Sequence, residues 1–408
     1  MSASRIVLVL AAGGCTHVDR VPTTPVRLSI DLAARPEVIT QNVQDAFRLA
    51  FWVKDHRVGE LEGDPERHPL ALGVARAAEL LLFDIPIASE VTVIPHEVAG
   101  HGGRIREFGG RATYSFELPP PYSFSPSATH VVAGSLSSTV DMNLLIDQAG
   151  IAVEAHEARY ALHTAFESGR LDHLDSGLMF GIPIHEIIEA TVPFAQSDVR
   201  HWTTLQADHF GGVSAESIQH RYLALVAITS LVNPTFLYSA YDLLWRFLVE
   251  GKRTGALPTI RVGPAELWAS THVSPTPWGL ELELDVLTKW PDCIVGIAPH
   301  AGTGPGGSSG GIALAISNVH VSPIVVIAAG LDAWLQPDLA VAAPILFGTG
   351  PRAPTHLGAS TFAEVRWDHP GWFVGLRAST KTKVLVDLQP IAASGDVIAF
   401  TGLLLGRP

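Results

Sequence analysis

The sequence predicts an α+β protein, with a mainly helical part first and a predominantly antiparallel β region after it. In the second part, residues 280–286 read Leu-Glu-Leu-Glu-Leu-Asp-Val, an unbroken alternation of apolar and acidic side chains. A period of two indicates a strand with one apolar face and one polar face. In the first part, residues 135–166 carry apolar side chains near helical spacing, at Val140, Leu144, Ile151, Ala155, Leu162 and Phe166.

Composition excludes some functions and suggests others. The chain has 408 residues with 27 basic and 40 acidic side chains, a net charge of −13, which argues against a nucleic-acid partner. Only 16% of the residues are charged and the mean hydropathy is +0.26, which is apolar for a soluble enzyme of this size. Membrane lipid is therefore an expected partner. Because there are only two cysteines, a metal ion would be held by histidine and carboxylate.

Residues 1–15 are typical of a bacterial signal peptide. Arg5 precedes the apolar run 6–12, and Gly13-Gly14-Cys15 follows. Small residues before a cysteine resemble the lipobox of bacterial lipoproteins, although Ala12 stands where that family usually has Leu. The resemblance implies that Cys15 bears lipid. We expect export to the bacterial cell envelope, to the outer membrane or the periplasm. The alternative is that residues 5–10 form the buried first strand of a cytoplasmic protein.

Residues 16–265 are predicted to form a mainly helical metallohydrolase domain. A helix is expected through residues 43–53, a second at 70–83 because of its run of Ala and Leu, and a third, mostly apolar, at 87–108. The apolar stretch 217–249 is interrupted at Asn233-Pro234, and we interpret it as a kinked pair of buried helices.

Residues 266–408 are predicted to form an antiparallel β domain. Short turns alternate with long loops, and the glycine-rich residues 302–311 are interpreted as one of the flexible loops. Strands of this length with short turns at one end resemble outer-membrane β-barrels, which implies a membrane-embedded sheet. A soluble β-sandwich is the alternative. Besides 280–286, strands are expected near 292–299, 311–321, 323–332, 338–347, 359–368, 371–379, 382–390 and 396–405.

The strongest chemical signal is the six-residue stretch His96-Glu97-Val98-Ala99-Gly100-His101. Imidazoles bind zinc, and an adjacent carboxylate can act as the base for a metal-bound water. Histidines five residues apart diverge by about 140° on a regular helix, so one ion could not take both. A π-helical turn would restore a shared face, and Gly100 would tolerate that distortion best.

The same His-Glu-x-x-Gly-His pattern resembles the zinc motif of the dipeptidyl peptidase III family. The resemblance covers this motif alone, since the family's second motif, of the type Glu-Glu-x-x-Ala-Glu, is not reproduced. It implies a zincin-like site in which His96 and His101 bind zinc (Zn2+) and Glu97 is the base.

A zincin site needs a third protein ligand, which in the glutamate-type zincins comes from a later helix. Glu154 is the first choice because it lies among glycines and alanines that let helices approach closely, and Glu157 is the second. The alternative for each is an ordinary solvent-facing glutamate. The acidic residues of His185-Glu186-Ile187-Ile188-Glu189 are interpreted as the first turn of a helix that starts after Pro183.

These features predict a zinc-dependent hydrolase, a metallopeptidase of the bacterial cell envelope that acts on a peptide or protein substrate. One alternative is a non-enzymatic outer-membrane β-barrel or lipoprotein with structural histidines. Another is a soluble periplasmic peptidase with a β-sandwich. Glu97 favours the enzyme, because a purely structural site does not need a carboxylate that activates water.

Overall fold

The computed structural model describes residues 24–31, 34–62, 69–116, 122, 128–133, 140–191, 197–337, 355–382 and 393–405. The predicted signal peptide with Cys15 lies outside the described residues. So do the expected strand at 338–347 and most of the one at 382–390.

Helices form most of the described chain before residue 250, as the sequence predicted. Each expected helix is present, although the observed bounds are usually longer. The helices are α1 (Pro36–Glu62), α2 (Pro69–Glu79), α3 (Ile85–Pro95), α4 (Gly102–Glu107), α5 (Val140–Ser168), α6 (His173–Thr191), α7 (Asp198–Phe210), α8 (Ala215–Val232) and α9 (Pro234–Tyr241). π-Helical turns occupy Leu80–Asp84, His96–His101 and Asp242–Phe247.

A large antiparallel sheet confirms the α+β class. Its order in the described residues is β1-β14-β13-β12-β11-β10-β9-β8-β7-β6. The first strand, β1, comes from the N-terminal part of the chain and pairs with the last, β14. The strands are β1 (Thr24–Ile30), β6 (Ile260–Val262), β7 (Ala265–Thr276), β8 (Gly279–Trp290), β9 (Cys293–Gly304), β10 (Gly307–Ser322), β11 (Val325–Pro337), β12 (Thr355–His369), β13 (Trp372–Lys381) and β14 (Ser394–Leu405). Two small pairs join β2 (Arg111–Phe116) to β3 (Ala128–Ala133) and β4 (Leu171–Asp172) to β5 (Thr254–Gly255).

The predicted alternation along β8 is confirmed. Leu282 and Leu284 are 41% and 40% exposed on one face of the sheet. The acidic residues between and beside them point the other way, toward α5, where Arg159 Nη2 lies 2.7 Å from Glu283 and Nε lies 3.0 Å from Asp285. A cavity of about 440 Å³ lies between α5 and this polar face.

Side chains from the helical part bind backbone groups along β1, one edge of the sheet, and along β7, which lies next to the short edge strand β6 at the other end. Along β1, the backbone N–H groups of Arg27 and Ser29 donate to Asp45 Oδ2 and Asn42 Oδ1 of α1, at 2.5 and 2.7 Å. Along β7, Asn233 Nδ2 donates to the carbonyl of Thr271 at 2.9 Å. These bonds satisfy backbone groups that an open sheet would leave unpaired.

The expectation of a long flexible loop at residues 302–311 was wrong. The segment forms the ends of β9 and β10, joined by a turn at residues 305–306. The glycines reflect close packing rather than flexibility: a Cβ on Gly304 would lie 2.3 Å from the Cα of Gly279, and one on Gly306 would lie 2.6 Å from the ring of Phe210. The glycines therefore allow the close backbone packing of this hairpin.

The helix break at Asn233-Pro234 is confirmed, because α8 ends at Val232 and α9 begins at Pro234. The pair is not fully buried as expected: Ile228 and Leu231 are 61% and 69% exposed. In the described part of the chain no single helix is long and apolar enough to cross a membrane, whereas Ala215–Val232 and Pro234–Phe247, bent by 65°, together satisfy that criterion.

Candidate metal centre

The expected π-helical turn is present and spans His96–His101. It continues α3 and runs directly into α4, so the motif lies within one continuous helical segment. The turn brings the two imidazoles together, with ring centroids 4.7 Å apart and ring planes inclined by 76°. Their Nε2 atoms are 3.0 Å apart. The extra residue in the motif is therefore accommodated as the sequence predicted.

A carboxylate from another helix completes the group. Asp198 Oδ2 lies 2.8 Å from Nε2 of His96 and 3.0 Å from Nε2 of His101. Asp198 is the first residue of α7, where Ser197 caps the helix by accepting a hydrogen bond from the N–H of Arg200. The side chains of His96, His101 and Asp198 are 9%, 2% and 23% exposed, so the group opens to solvent on the Asp198 side.

The other nitrogen of each imidazole has its own acceptor. His96 Nδ1 lies 2.5 Å from Glu154 Oε1, and His101 Nδ1 lies 2.7 Å from the carbonyl of Ile146, both on α5. If each Nδ1 carries the proton, each Nε2 keeps its lone pair for a metal ion. Such a carboxylate or carbonyl behind a histidine is the usual support of a metal-binding imidazole.

Two glycines make this arrangement possible. A Cβ on Gly150 of α5 would lie 2.5 Å from Nε2 of His96 and 2.7 Å from Nε2 of His101. A Cβ on Gly100 of the π-helical turn would lie 2.7 Å from the carbonyl oxygen of Ala149. The two helical segments therefore touch where neither has a side chain, and the imidazoles occupy the space above Gly150.

Mutual charge stabilisation dominates the electrostatics of the group. Burial alone would lower the pKa of His96 and of His101, but Glu154 and Asp198 raise the pKa of His96 well above its usual value, and Asp198 raises that of His101. Burial would raise the pKa of Asp198, yet the two histidines hold it well below its ordinary value. The site thus has strong affinity for positive charge, which protons or a cation can supply.

Glu154 and Glu157 have different environments. Burial would raise the pKa of Glu154, but His185 and His96 lower it to about 2. Its second oxygen lies 3.0 Å from His185 Nδ1. Glu157 is fully buried, and neither of its carboxylate oxygens has a hydrogen-bond partner among the described residues. Burial and the charge of Glu154 raise the pKa of Glu157 well above its usual value.

The structure thus brings the side chains of His96, His101 and Glu154 together, and Glu97 follows His96 on the same π-helical turn. Glu97 is half-buried on the same π-helical turn, and its charge contributes to the raised pKa of His101. Within the described chain, the three side chains whose ligand atoms lie within 4.8 Å of one another are His96, His101 and Asp198. This geometry favours Asp198 as third ligand, with Glu154 behind His96.

Asp198 and His185 were not recognised as site residues from the sequence. Asp198 looks like an ordinary acidic residue in the first turn of a helix, and no spacing links it to residues 96–101. The interpretation of residues 185–189 as a first helical turn was wrong. Helix α6 begins at His173 and includes Pro183, which places His185 in its C-terminal half, beside Glu154.

The residues present fit a zinc ion. Two imidazoles and a carboxylate are a common donor set for catalytic zinc, which keeps one position for water or substrate. Ligand atoms at tetrahedral angles around zinc would be roughly 3.3 Å apart, given bonds of about 2.0–2.1 Å. The observed separations of 2.8, 3.0 and 3.0 Å are a few tenths of an ångström shorter. Reaching the tetrahedral separations needs a movement of a few tenths of an ångström in each pair, the two imidazoles included.

No protein-family model, curated protein or solved structure matches this chain. The geometry of the site is therefore the main guide to function.

Proposed function

We propose that this protein is a zinc-dependent hydrolase, a metallopeptidase of the bacterial cell envelope. The observation that supports it most is the convergence of His96 Nε2, His101 Nε2 and Asp198 Oδ2 around one point, with Glu97 beside His96 in the chain. His96, His101 and Asp198 would hold the ion. Zinc supplies a Lewis acid for the substrate carbonyl and lowers the pKa of a coordinated water to about 7.

Side chains and one backbone carbonyl of this chain would transfer the proton and orient the imidazoles. Glu97 takes the proton of the attacking water and delivers it to the leaving amine. Glu154 orients the ring of His96 and fixes its tautomer through the Nδ1 contact. The carbonyl of Ile146 does the same for His101. His185 in turn stabilises the charge of Glu154, with a nitrogen–oxygen separation of 3.0 Å. Substrate would enter beside Asp198, where the group is most exposed.

The proposal extends to the fold of the two parts of the chain. The helical part would be zincin-like in its motif, with an expanded spacing and an aspartate as third ligand. The β region would be barrel-like and attach the enzyme to a membrane of the envelope. The alternation along β8, with acidic residues inward and leucines outward, supports that second assignment.

A non-enzymatic envelope protein with structural histidines is the second candidate. Buried networks of histidine and carboxylate can also serve stability alone. The two candidates differ in what Glu97 does: a structural site would tolerate its replacement, and a hydrolase would not.

Zinc content and hydrolysis of dye-quenched casein, measured on the purified full-length chain, test the proposal. His96→Ala, His101→Ala and Asp198→Ala should lose both zinc and activity. Glu97→Gln should keep zinc and lose activity, because the amide cannot accept the proton. His220→Ala and Glu216→Gln are matched controls, since both side chains are exposed on α8 away from the group. They should retain both properties.

A wild-type protein without zinc would contradict the metal centre. A Glu97→Gln variant that cleaved casein at the wild-type rate would contradict the hydrolase and favour the structural alternative.

A further inference from the structure

The outward face of the large sheet carries no charged side chain at its regularly paired positions. The pairing registers show which residues share this face, and on β8 to β14 and β1 they are aliphatic, aromatic, small or threonine-like. Many are well exposed: six examples on six strands are Leu282, Ile297, Leu314, Leu331, Leu376 and Val397. Monomeric soluble proteins rarely expose a continuous apolar surface of this extent.

The inward face has the opposite character. Arg27 of β1 reaches Glu364 of β12 at 2.6 Å, and Glu281 of β8 lies 3.0 Å from His300 of β9. Arg377 of β13 lies 3.0 Å from Glu37 of α1. The sheet is thus charged toward the helical part and apolar toward the outside, which inverts the usual order of a soluble protein.

An open sheet could not face hydrocarbon unless its edges were paired or covered. Here Asp45 and Asn42 cover the edge of β1, and Asn233 contacts the edge of β7. The bent pair α8–α9 lies against β7 and adds exposed apolar residues, among them Leu231 at 69%. The helical part therefore covers some of the backbone groups that strand closure would pair in a barrel.

Tryptophans mark one rim of the apolar surface. Trp290, Trp367 and Trp372 lie at or near the turns at residues 291–292 and 370–371, and they are 43%, 42% and 44% exposed. Tryptophan is enriched at membrane–water interfaces. From Leu280 to Trp290 the strand covers roughly 33 Å at about 3.3 Å per residue. A tilt of about 40° reduces this to roughly 25 Å, the height of the apolar band in membrane barrels.

The metal centre lies away from that rim. Lys289 Nζ, next to Trp290, donates to the carbonyl of Phe166 at the C-terminal end of α5. Gly150, which contacts the imidazoles, is 16 residues earlier on the same helix, roughly 24 Å along its axis at 1.5 Å per residue. The two ends of the sheet are therefore chemically distinct.

We infer that the outward face of the sheet and the exposed side of α8–α9 form one belt that contacts the acyl chains of a bilayer. Trp290, Trp367 and Trp372 lie at one headgroup layer, and the metal centre lies toward the other. This inference refines the membrane part of the proposed function and is independent of the zinc chemistry. A second copy of the chain is the competing occupant, but hydrocarbon explains the tryptophan rim as well as the apolar face.

The test uses the full-length chain, purified in detergent and reconstituted into vesicles of phosphatidylethanolamine and phosphatidylglycerol. Membrane insertion is measured by flotation after a carbonate wash. Wild type should float. Leu331→Arg places a charge near mid-belt and should reduce the floated fraction by about tenfold or more. Leu335→Arg changes the same residue type on the same strand and face, about 13 Å nearer the edge of the belt. Its floated fraction should fall less than that of Leu331→Arg. Leu331→Ile should behave like wild type.

Tryptophan quenching by brominated lipid gives a second measurement, whose first step uses the wild-type protein alone. Bromine near the headgroup should quench wild type more than bromine near the chain ends, and replacing Trp290, Trp367 and Trp372 by Phe should remove most of that difference. A wild type that stays in solution without detergent and fails to float overturns the inference. So does a soluble dimer that Leu331→Arg separates. Neither result would change the zinc content or the casein cleavage expected of the wild-type protein, so the membrane inference can fail without the zinc chemistry.

Discussion

The carboxylate of Glu154 lies 2.5 Å from Nδ1 of His96, on the opposite side of the imidazole from Asp198, which lies 2.8 Å from Nε2. One ring thus separates two acidic residues with different tasks. Asp198 faces the position that a metal ion would occupy. Glu154 sets the orientation and tautomer of the histidine that binds it.

The first prediction separates these two carboxylates. Glu154→Ala should weaken zinc affinity by about 10- to 100-fold without abolishing binding, as expected for a residue that supports a ligand. Asp198→Ala should prevent stoichiometric binding. Competition of each variant with a fluorescent zinc chelator measures both. If Glu154→Ala lost the metal completely while Asp198→Ala kept it, the original sequence-based choice of Glu154 as ligand would be right.

The second prediction concerns the space above Gly150. In Gly150→Ala the new methyl group would overlap the imidazole of His96, with a separation of 2.5 Å from Nε2, so the variant should lose zinc. Gly181→Ala is the matched control, because nothing lies within 4 Å of its added Cβ in the interior of α6. It should keep zinc and gain about 0.5–1 kcal/mol in free energy of unfolding. Equal zinc content in both variants would contradict the proposed packing.

Much of this site could be anticipated from sequence because its signal is local. The motif at residues 96–101 and its π-helical turn involve neighbours in the chain, so spacing alone predicts the distortion. Alternation predicted both faces of β8 for the same reason. Asp198 could not be predicted, since its relation to His96 depends on how α7 packs against α5.

Two further differences also have tertiary causes. The pairing of β1 with β14 joins residues more than 360 positions apart, as in Thr24 opposite Leu405, so no local pattern predicts it. The glycine-rich residues 302–311 have a loop-like composition, and only the close contact of Gly304 with Gly279 shows why a hairpin needs them.

The third prediction tests the covered edge of the sheet. Asn42 accepts from the N–H of Ser29 and donates to its carbonyl, at 2.7 and 2.8 Å. Asn42→Ala would leave both groups of β1 without these partners and should lower the free energy of unfolding by about 1–3 kcal/mol. Val53→Ala, an exposed position on the same helix, should change it by less than about 0.5 kcal/mol. Denaturant unfolding in detergent measures the free energy of unfolding of both variants. Equal changes would show that the contacts of α1 with β1 do not stabilise this edge.

The fourth prediction is an acid sensitivity located at His173. Burial, with the charge of Lys54, lowers the pKa of this histidine to about 3 in the folded protein, although its Nδ1 lies 3.3 Å from Oδ2 of Asp84. The unfolded chain therefore binds the proton first, and stability falls as the pH drops from about 6.5 toward 3. In His173→Asn, which cannot titrate, the free energy of unfolding should fall less steeply, by about 1.4 kcal/mol per pH unit over that range. Parallel pH dependences of unfolding for wild type and variant would contradict a buried neutral His173.

The most direct test of the account is anomalous diffraction at the zinc absorption edge from crystals of the wild-type protein. The account predicts one peak about 2.0–2.2 Å from Nε2 of His96, Nε2 of His101 and a carboxylate oxygen of Asp198, with Glu154 still on Nδ1 of His96. A peak bonded to Glu154 in place of Asp198, or the lack of any peak in zinc-soaked crystals, would contradict it.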